Sequence, residues 1–181
     1  MRADAQRNRE SLLAAARRAF ATGDATVALE TIAKDAGVGI GTLYRHFPTR
    51  EALVEAVFRA ERDRLCDSAD ELLTTHRADD ALRAWMDQFA DYVAVKRDMA
   101  DALRAIIASG AVTSSESREQ LSTAATKLLT AGAEAGTLRA DVHPEDVVVS
   151  LVGIFLTCGA PDQRDQANRL LDLLMAGLRA H

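Results

Sequence analysis

The sequence predicts an all-α protein of about nine helices, with a small N-terminal domain and a larger C-terminal one. Apolar residues recur with helical periodicity along nearly all of the 181 residues. Alternation of apolar and polar side chains, which is typical of a half-buried strand, does not dominate any segment of the chain. The chain has only three prolines, so few positions interrupt the helices.

Glycine, proline and threonine mark the ends of the first four predicted helices. Gly23 ends the first helix, and Gly37 ends the second as a left-handed residue just beyond its last turn. Pro48 closes the third helix, and Thr49 caps the start of the fourth. The predicted ranges are about 6–22, 29–36, 40–47 and 50–73.

Five more helices are predicted in the rest of the chain. The stretch SGAVTSSES, after the sixth helix, is the most linker-like segment of the sequence. Gly136 ends the seventh helix, and Pro144 begins the eighth. The predicted ranges are about 80–95, 99–108, 116–135, 144–158 and 164–180.

Charge is distributed unevenly along the chain, whose formal net charge is -5. Residues 1–50 contain eight basic and five acidic side chains, a net charge of +3. The remaining residues contain 14 basic and 22 acidic side chains, a net charge of -8. A basic N-terminal segment on an acidic body indicates that this end attracts a polyanion.

The two cysteines and the hydropathy pattern suggest the cellular compartment. Cys66 and Cys158 are too far apart in sequence to indicate a disulfide framework or paired zinc ligands, and we expect no metal and no cofactor. No secretion signal opens the chain. The most apolar segment, 147–158, is shorter than the ~20 residues that cross a bilayer. We therefore expect a cytoplasmic protein, associated with the nucleoid and not with a membrane.

The stretch AGVGIGTLYRHF at 36–47 has two possible interpretations. A dinucleotide-binding loop needs a strand before its glycines, but the preceding ALETIAKDA has helical amphipathicity and no G-K-[ST] follows. A helix-turn-helix needs a small contact residue, a turn glycine and apolar anchors. Ala33 and Gly37 meet the first two needs, and the anchors are Ile32, Val38, Leu43 and Phe47. The pattern favours the helix-turn-helix.

The second helix of this motif is amphipathic. Winding it at about 100° per residue puts Leu43 and Phe47 on an inner face, with Ile40 beside them. The outer face then carries a hydroxyl, a guanidinium and an imidazole around a glycine, at Thr42, Arg45, His46 and Gly41. Such donors suit base edges and phosphate oxygens.

The segment TIAKDAGVGIGTLYRHFPTREALVEAV resembles the helix-turn-helix of the tetracycline-repressor (TetR) family and the start of the helix after it. The resemblance covers about residues 6–65. It implies a DNA-binding domain at 1–50, with the helix-turn-helix at about 28–47, and a ligand-binding and dimerisation domain at 51–181. The implied function is that of a ligand-released transcriptional repressor that binds a palindromic DNA operator as a homodimer.

By this resemblance, the residues that read bases lie in the first turn of the second motif helix. Ile40 and Thr42 match base-reading positions, and Gly41 lets the backbone come close to DNA. Arg45 serves either a base or a phosphate. Ile40 contacts a thymine methyl group or only completes the edge of the core, and both interpretations stay open.

The resemblance also implies contacts with the phosphate backbone of DNA. Tyr44 and His46 match positions that touch phosphates, and Arg50 matches the basic phosphate contact at the start of the next helix. Lys34 is a further candidate. The alternative for Tyr44 is a half-buried packing role with an exposed hydroxyl.

One position departs from the family pattern. Ala28 stands where a Ser or Thr often caps the first motif helix and bonds a phosphate. Thr26 or Thr31 would have to replace that contact.

Two apolar helices near the C-terminus predict a homodimer. The segment 147–156 is apolar on every side, and the last helix carries a broad leucine stripe. A monomer could hardly hide both, whereas two such helices from each chain could form a four-helix bundle about a two-fold axis. The predicted interface residues are Val148, Leu151, Phe155, Leu170, Leu174 and Leu178.

An aromatic and thioether stripe in the body is either core or the lining of a ligand pocket. A pocket there would take a small, largely apolar effector, with a hydrogen bond from Tyr92 or Trp85. The stripe consists of Trp85, Met86, Phe89, Tyr92, Met99, Leu103 and Ile107.

Two other classes of protein fit the sequence less well than a DNA-binding regulator. An enzyme is disfavoured because the sequence has no nucleophile elbow and no H-E-x-x-H, and its four histidines are scattered. A helical adaptor that had lost DNA binding should have a neutral or acidic outer face. Here that region retains Arg45, His46 and Arg50.

Overall fold

The computed structural model describes residues 2–21, 27–100, 103 and 114–180. The described residues form eight α-helices and one short 3-10 helix, Pro161–Gln163, and the predicted all-α fold is confirmed. The helices are α1 Arg2–Phe20, α2 Leu29–Asp35, α3 Ile40–His46, α4 Arg50–Thr75, α5 Ala78–Asp98, α6 Ser114–Glu134, α7 Pro144–Thr157 and α8 Arg164–Leu178.

For the eight described helices, the predicted ends lie within about four residues of the observed ones, and Gly23, expected to end the first helix, lies outside the described residues. Helix α1 begins four residues before the predicted start, where Asp4 accepts a hydrogen bond from Arg7. Such pairs one turn apart support a helix beyond its apolar stripe. Gly136 has φ 68° and ends α6 as predicted. Most of the helix predicted at 99–108 lies outside the described residues.

The chain divides into two compact units. The first comprises the described residues of 1–61 and 95–103, and the second comprises 62–94 and the described residues from 114 onward. Helices α4 and α5 therefore each contribute residues to both units. The predicted division of function at residue 50 stays a prediction.

The first unit is built on a core from α1, α2, α3 and the start of α4. Leu12, Ile32, Leu43 and Leu53 have no solvent-exposed surface, and Phe20 is buried beside them. Each apolar side chain that is removed from water contributes about 1.5–3 kcal/mol before the entropy cost of ordering. Burial on all four helices fixes the orientation of the short α3.

Aromatic side chains occupy the core of the second unit. The indole N–H of Trp85 donates to the Leu65 carbonyl at 2.9 Å. Phe89 meets Trp85 and Tyr92 edge to face at centroid distances of 5.5 and 5.6 Å, and it stacks on Phe155 at 6.4 Å. Edge-to-face packing is a favoured arrangement of aromatic rings.

Candidate nucleic-acid interface

A tight turn at Gly37 joins α2 to α3. Gly37 has φ 71°, in the left-handed region, and its N–H donates to the Lys34 carbonyl at 3.0 Å. The N–H of Val38 donates to the Ala33 carbonyl at 3.0 Å. These two bonds form a Schellman motif, which ends a helix and turns the chain sharply. The predicted role of Gly37 is confirmed.

Helix α3 presents two different faces, as its sequence predicts. Leu43 is fully buried and Phe47, just after the helix, is 3% exposed, whereas Tyr44 is 45% exposed. Arg45 and Gly41 are also exposed. A Cβ atom placed on Gly41 would meet no atom within 4 Å. The outer face is therefore open to a partner.

Arg45 is held along this outer face by bonds within its own helix. Its Nε donates to the Gly41 carbonyl at 3.2 Å, and its Nη2 donates to the Thr42 hydroxyl at 3.0 Å. A guanidinium has five N–H groups, so further donors remain for an acceptor outside the chain. The bond to Thr42 makes the guanidinium and the hydroxyl one polar group on the surface.

The other outward residues of the motif differ in exposure. His46 is half-buried, and its ring lies 6.1 Å from that of Phe47. Ile40 is also half-buried, which leaves both of its interpretations open. Lys34, in the last turn of α2, is exposed. The exposure of Tyr44 argues against a packing role for its ring.

Arg50, expected to bind phosphate, has contacts inside the chain. Its Nη1 donates to the Val27 carbonyl at 2.6 Å, and its Cζ lies 5.6 Å from the centre of the Phe20 ring. Arg50 thereby ties the start of α4 to the chain before α2. Thr49 accepts the Ala52 N–H at 3.1 Å, which confirms the predicted cap.

The start of α2 lacks the side-chain cap that a Ser or Thr in place of Ala28 would provide. Ala28 is the N-cap residue, and it makes no side-chain cap hydrogen bond. Thr31 is exposed in the first turn of α2. Thr26 lies outside the described residues.

The residues of the expected ligand pocket divide between the units. Trp85, Met86, Phe89 and Tyr92 are buried in the second unit. Met99 and Leu103 are buried residues of the first unit, and Ile107 lies outside the described residues. The one N–H of the Trp85 side chain donates to the Leu65 carbonyl within the chain, and the expected role of Trp85 in effector binding stays a prediction. Burial raises the pKa of Tyr92 to about 12.

Four of the six expected interface residues belong to the core of their own chain. Val148, Leu151, Phe155 and Leu178 are at most 6% exposed. They cannot offer a partner much apolar surface, because packing within the chain already covers them. Leu170 and Leu174 are half-buried. The large exposed apolar side chains of α7 and α8 are instead Val149, Leu156 and Leu173.

Sequence reasoning missed Arg62, a buried basic residue of the second unit. It is 3% exposed, although it lies in the middle of the long polar helix α4. A signal was present, because Arg62 lies four residues after Phe58 and three before Leu65, on the apolar stripe of the helix.

The described residues show neither a metal site nor a membrane span. They contain no group of three or more histidine, cysteine or acidic residues that could hold a metal ion. None of their helices is long and apolar enough to cross a membrane.

The turn at Gly37, the two-faced α3 and the all-helical body define a helix-turn-helix protein with a larger C-terminal domain. Comparison with known proteins agrees. Residues 12–57 match bacterial regulatory proteins of the tetR family. Residues 77–180 match the C-terminal domain of SbtR-like transcriptional regulators. The chain belongs to the TetR family, whose members are DNA-binding transcriptional regulators and not enzymes.

Individual relatives resemble the chain over different lengths. A TetR transcriptional regulator from Streptomyces coelicolor is 51% identical, with a TM-score of 0.87 over 95% of this chain and 98% of that one. A TetR regulatory protein from Mycobacterium vanbaalenii is 33% identical, with a TM-score of 0.79 over 99% of each chain. An HTH-type transcriptional regulator from Staphylococcus aureus is 38% identical over 64 residues. That match spans 35% of this chain and 35% of the staphylococcal protein.

Proposed function

We propose that the protein is a repressor that binds a palindromic operator as a homodimer and leaves it when a small effector binds. The observation that carries the DNA contact is the open outer face of α3, where Arg45 is held against Thr42. Gly41 leaves room for the DNA backbone, and Tyr44 is exposed beside it. These features suit a helix that lies in a major groove.

Each residue of the face has a proposed role. Ile40, Thr42 and Arg45 contact bases, with Arg45 also within reach of a phosphate. Tyr44, His46 and Lys34 contact phosphates. Arg50 contacts a phosphate only if part of its guanidinium stays available while its bond to Val27 holds. Phosphate contacts set position and affinity, and base contacts set specificity.

A homodimer would place two copies of α3 at the spacing of successive major grooves, about 34–36 Å. We place the dimer contact on the exposed apolar side chains of α7 and α8. A small, largely apolar effector would release DNA by binding more tightly to a form with another helix spacing. Such a repressor would act in the cytoplasm, on the nucleoid.

DNA binding can be tested with duplexes selected from random or genomic DNA. We expect a palindrome and an affinity that falls steeply between about 50 and 200 mM salt. Arg45→Ala should lower affinity for the selected duplex by about 10-fold or more, because a good base contact contributes about 1–3 kcal/mol. Fluorescence anisotropy of a labelled duplex measures both effects.

Arg18→Ala is the matched control, because Arg18 is an exposed arginine of α1 in the same unit. It should weaken binding little and equally for all sequences. The proposal fails if no duplex is enriched, or if the two variants lose the same affinity.

A further inference from the structure

The guanidinium of Arg45 lies over the first turn of α3, although the residue itself belongs to the last turn. Its Nε donates to the Gly41 carbonyl at 3.2 Å, and its Nη2 donates to the Thr42 hydroxyl at 3.0 Å. Both acceptors belong to the first turn. The recognition helix of a helix-turn-helix contacts base edges with its N-terminal residues. The two bonds therefore bring the charge of Arg45 back to the part of α3 that meets bases.

These two bonds use one edge of the guanidinium and leave the other edge available. A guanidinium is planar and has five N–H groups. Its side edge consists of Nε and one N–H of Nη2, and both are bonded within the chain. Its end edge consists of Nη1 and the other N–H of Nη2. Because Arg45 is exposed, this pair of parallel donors can meet a partner.

The major-groove edge of guanine matches such a pair of donors, and the edges of the other bases do not. Guanine presents two neighbouring acceptors, O6 and N7. Adenine presents one acceptor beside an amino group, cytosine presents an amino group, and thymine presents one acceptor beside a methyl group. A guanidinium only donates, so each of these three bases would leave at least one of the two donors without an acceptor.

Thr42 restricts the direction in which the guanidinium points. Thr42 is half-buried and precedes the fully buried Leu43, so its hydroxyl has a fixed place on the helix. A long side chain that is already held before binding loses less conformational entropy when DNA binds. Gly41 has no side chain that could displace the guanidinium from its carbonyl.

We infer that Arg45 binds one guanine in each half of the operator through its end edge, and that Thr42 positions the guanidinium for this contact. The inference rests on the proposed DNA binding and specifies the base. A phosphate could accept the same pair of donors, but a phosphate contact carries no sequence information. The test therefore compares bases that differ only in one acceptor.

Modified bases in the selected palindrome test the contact. 7-Deazaguanine lacks the N7 acceptor, whereas hypoxanthine keeps N7 and O6 and lacks only the minor-groove amino group of guanine. Each guanine is replaced in turn, in both half-sites at once, and fluorescence anisotropy of the full chain measures affinity. For one symmetry-related pair of guanines, 7-deazaguanine should lower affinity by about 10-fold and hypoxanthine by less than about 2-fold.

Variants of α3 assign this 10-fold penalty to its residues. Arg45→Ala should abolish the penalty, because no guanidinium remains to lose its acceptor. Thr42→Val keeps the shape of the side chain without the hydroxyl and should reduce the penalty to about 3-fold, and Thr42→Ser should restore it. Lys34→Ala, at an exposed candidate for a phosphate contact, is the matched control. It should weaken binding of modified and unmodified duplexes equally.

The outcomes separate this inference from the proposed DNA binding. If a palindrome is enriched but no guanine shows the penalty, or if Arg45→Ala retains it, the guanine contact is refuted and DNA binding stands. A full penalty in Thr42→Val would refute the positioning role of Thr42. If no duplex is enriched, the proposed DNA binding fails and the guanine contact fails with it.

Discussion

Arg45 and Arg50 lie on either side of Pro48, and their guanidinium groups have different partners. Arg45 bonds to Gly41 and Thr42 of its own helix, on an exposed face. Arg50 reaches across the first unit to the Val27 carbonyl and covers the Phe20 ring. The same residue type can therefore serve recognition at one position and the fold at the other.

This contrast predicts that two substitutions differ in how much stability they cost. Arg50→Ala removes a charged hydrogen bond and a cation–π contact, and it should lower the free energy of unfolding by about 1–3 kcal/mol. Arg45→Ala should change it by less than about 0.5 kcal/mol. Urea denaturation followed by circular dichroism measures both. Equal losses of stability would contradict the structural role of Arg50.

Tyr92 predicts a loss of stability at alkaline pH. Its phenol is buried, which raises its pKa to about 12 in the folded protein, from about 10 in the unfolded chain. The folded state keeps the proton where the unfolded chain releases it, so this contribution is complete below pH ~10 and falls as pH rises towards ~12. Urea denaturation at several pH values should show a shallower fall for Tyr92→Phe than for the wild type. Tyr44→Phe, at an exposed phenol, is the control, and equal slopes for all three proteins would refute the assignment.

At the scale of elements, the α2–α3 motif depends on glycines with different tasks. Gly37 has a positive φ, so Gly37→Ala should lower the free energy of unfolding by about 1–2 kcal/mol. This loss comes from the backbone conformation alone, because the new Cβ would meet no atom within 4 Å. Gly41 is inside α3, so Gly41→Ala should stabilise the helix by up to about 1 kcal/mol. It should also weaken DNA binding, because the new methyl group stands on the outer face. Denaturation and anisotropy together check the pair, and a Gly41→Ala protein with full DNA affinity would show that no close approach occurs there.

The same motif shows what sequence can and cannot predict. The turn at Gly37 and the faces of α3 follow from local preference and helical period, and both were predicted. The bond from Arg50 to Val27 spans 23 residues, and nothing near Arg50 in the sequence indicates it. Arg62 is buried on an apolar stripe, where a charged residue alone predicts exposure. The expected dimer face stays a prediction, and an all-apolar α7 does not reveal in the sequence that its own chain covers Val148, Leu151 and Phe155.

At the scale of the whole molecule, DNA binding and assembly should be linked through α7 and α8. Val149, Leu156 and Leu173 are 55%, 67% and 69% exposed, which is unusual for large apolar side chains grouped on two helices of one unit. A dimer would cover these side chains and would present two copies of α3, one from each chain, to the two halves of a palindrome.

The single variants Leu156→Lys and Leu173→Lys should therefore each convert a dimer to a monomer. Affinity for the full palindrome should fall by about 100-fold or more, because the second half-site is no longer bound intramolecularly. Affinity for a duplex with one half-site should be unchanged, since α3 lies in the other unit. Sedimentation velocity measures assembly, anisotropy measures both affinities, and Ala140→Lys, at an exposed position of the second unit, is the control. If the leucine variants stay dimeric, or if half-site and palindrome lose the same affinity, the dimer forms elsewhere and α7 and α8 do not set the spacing of the reading helices.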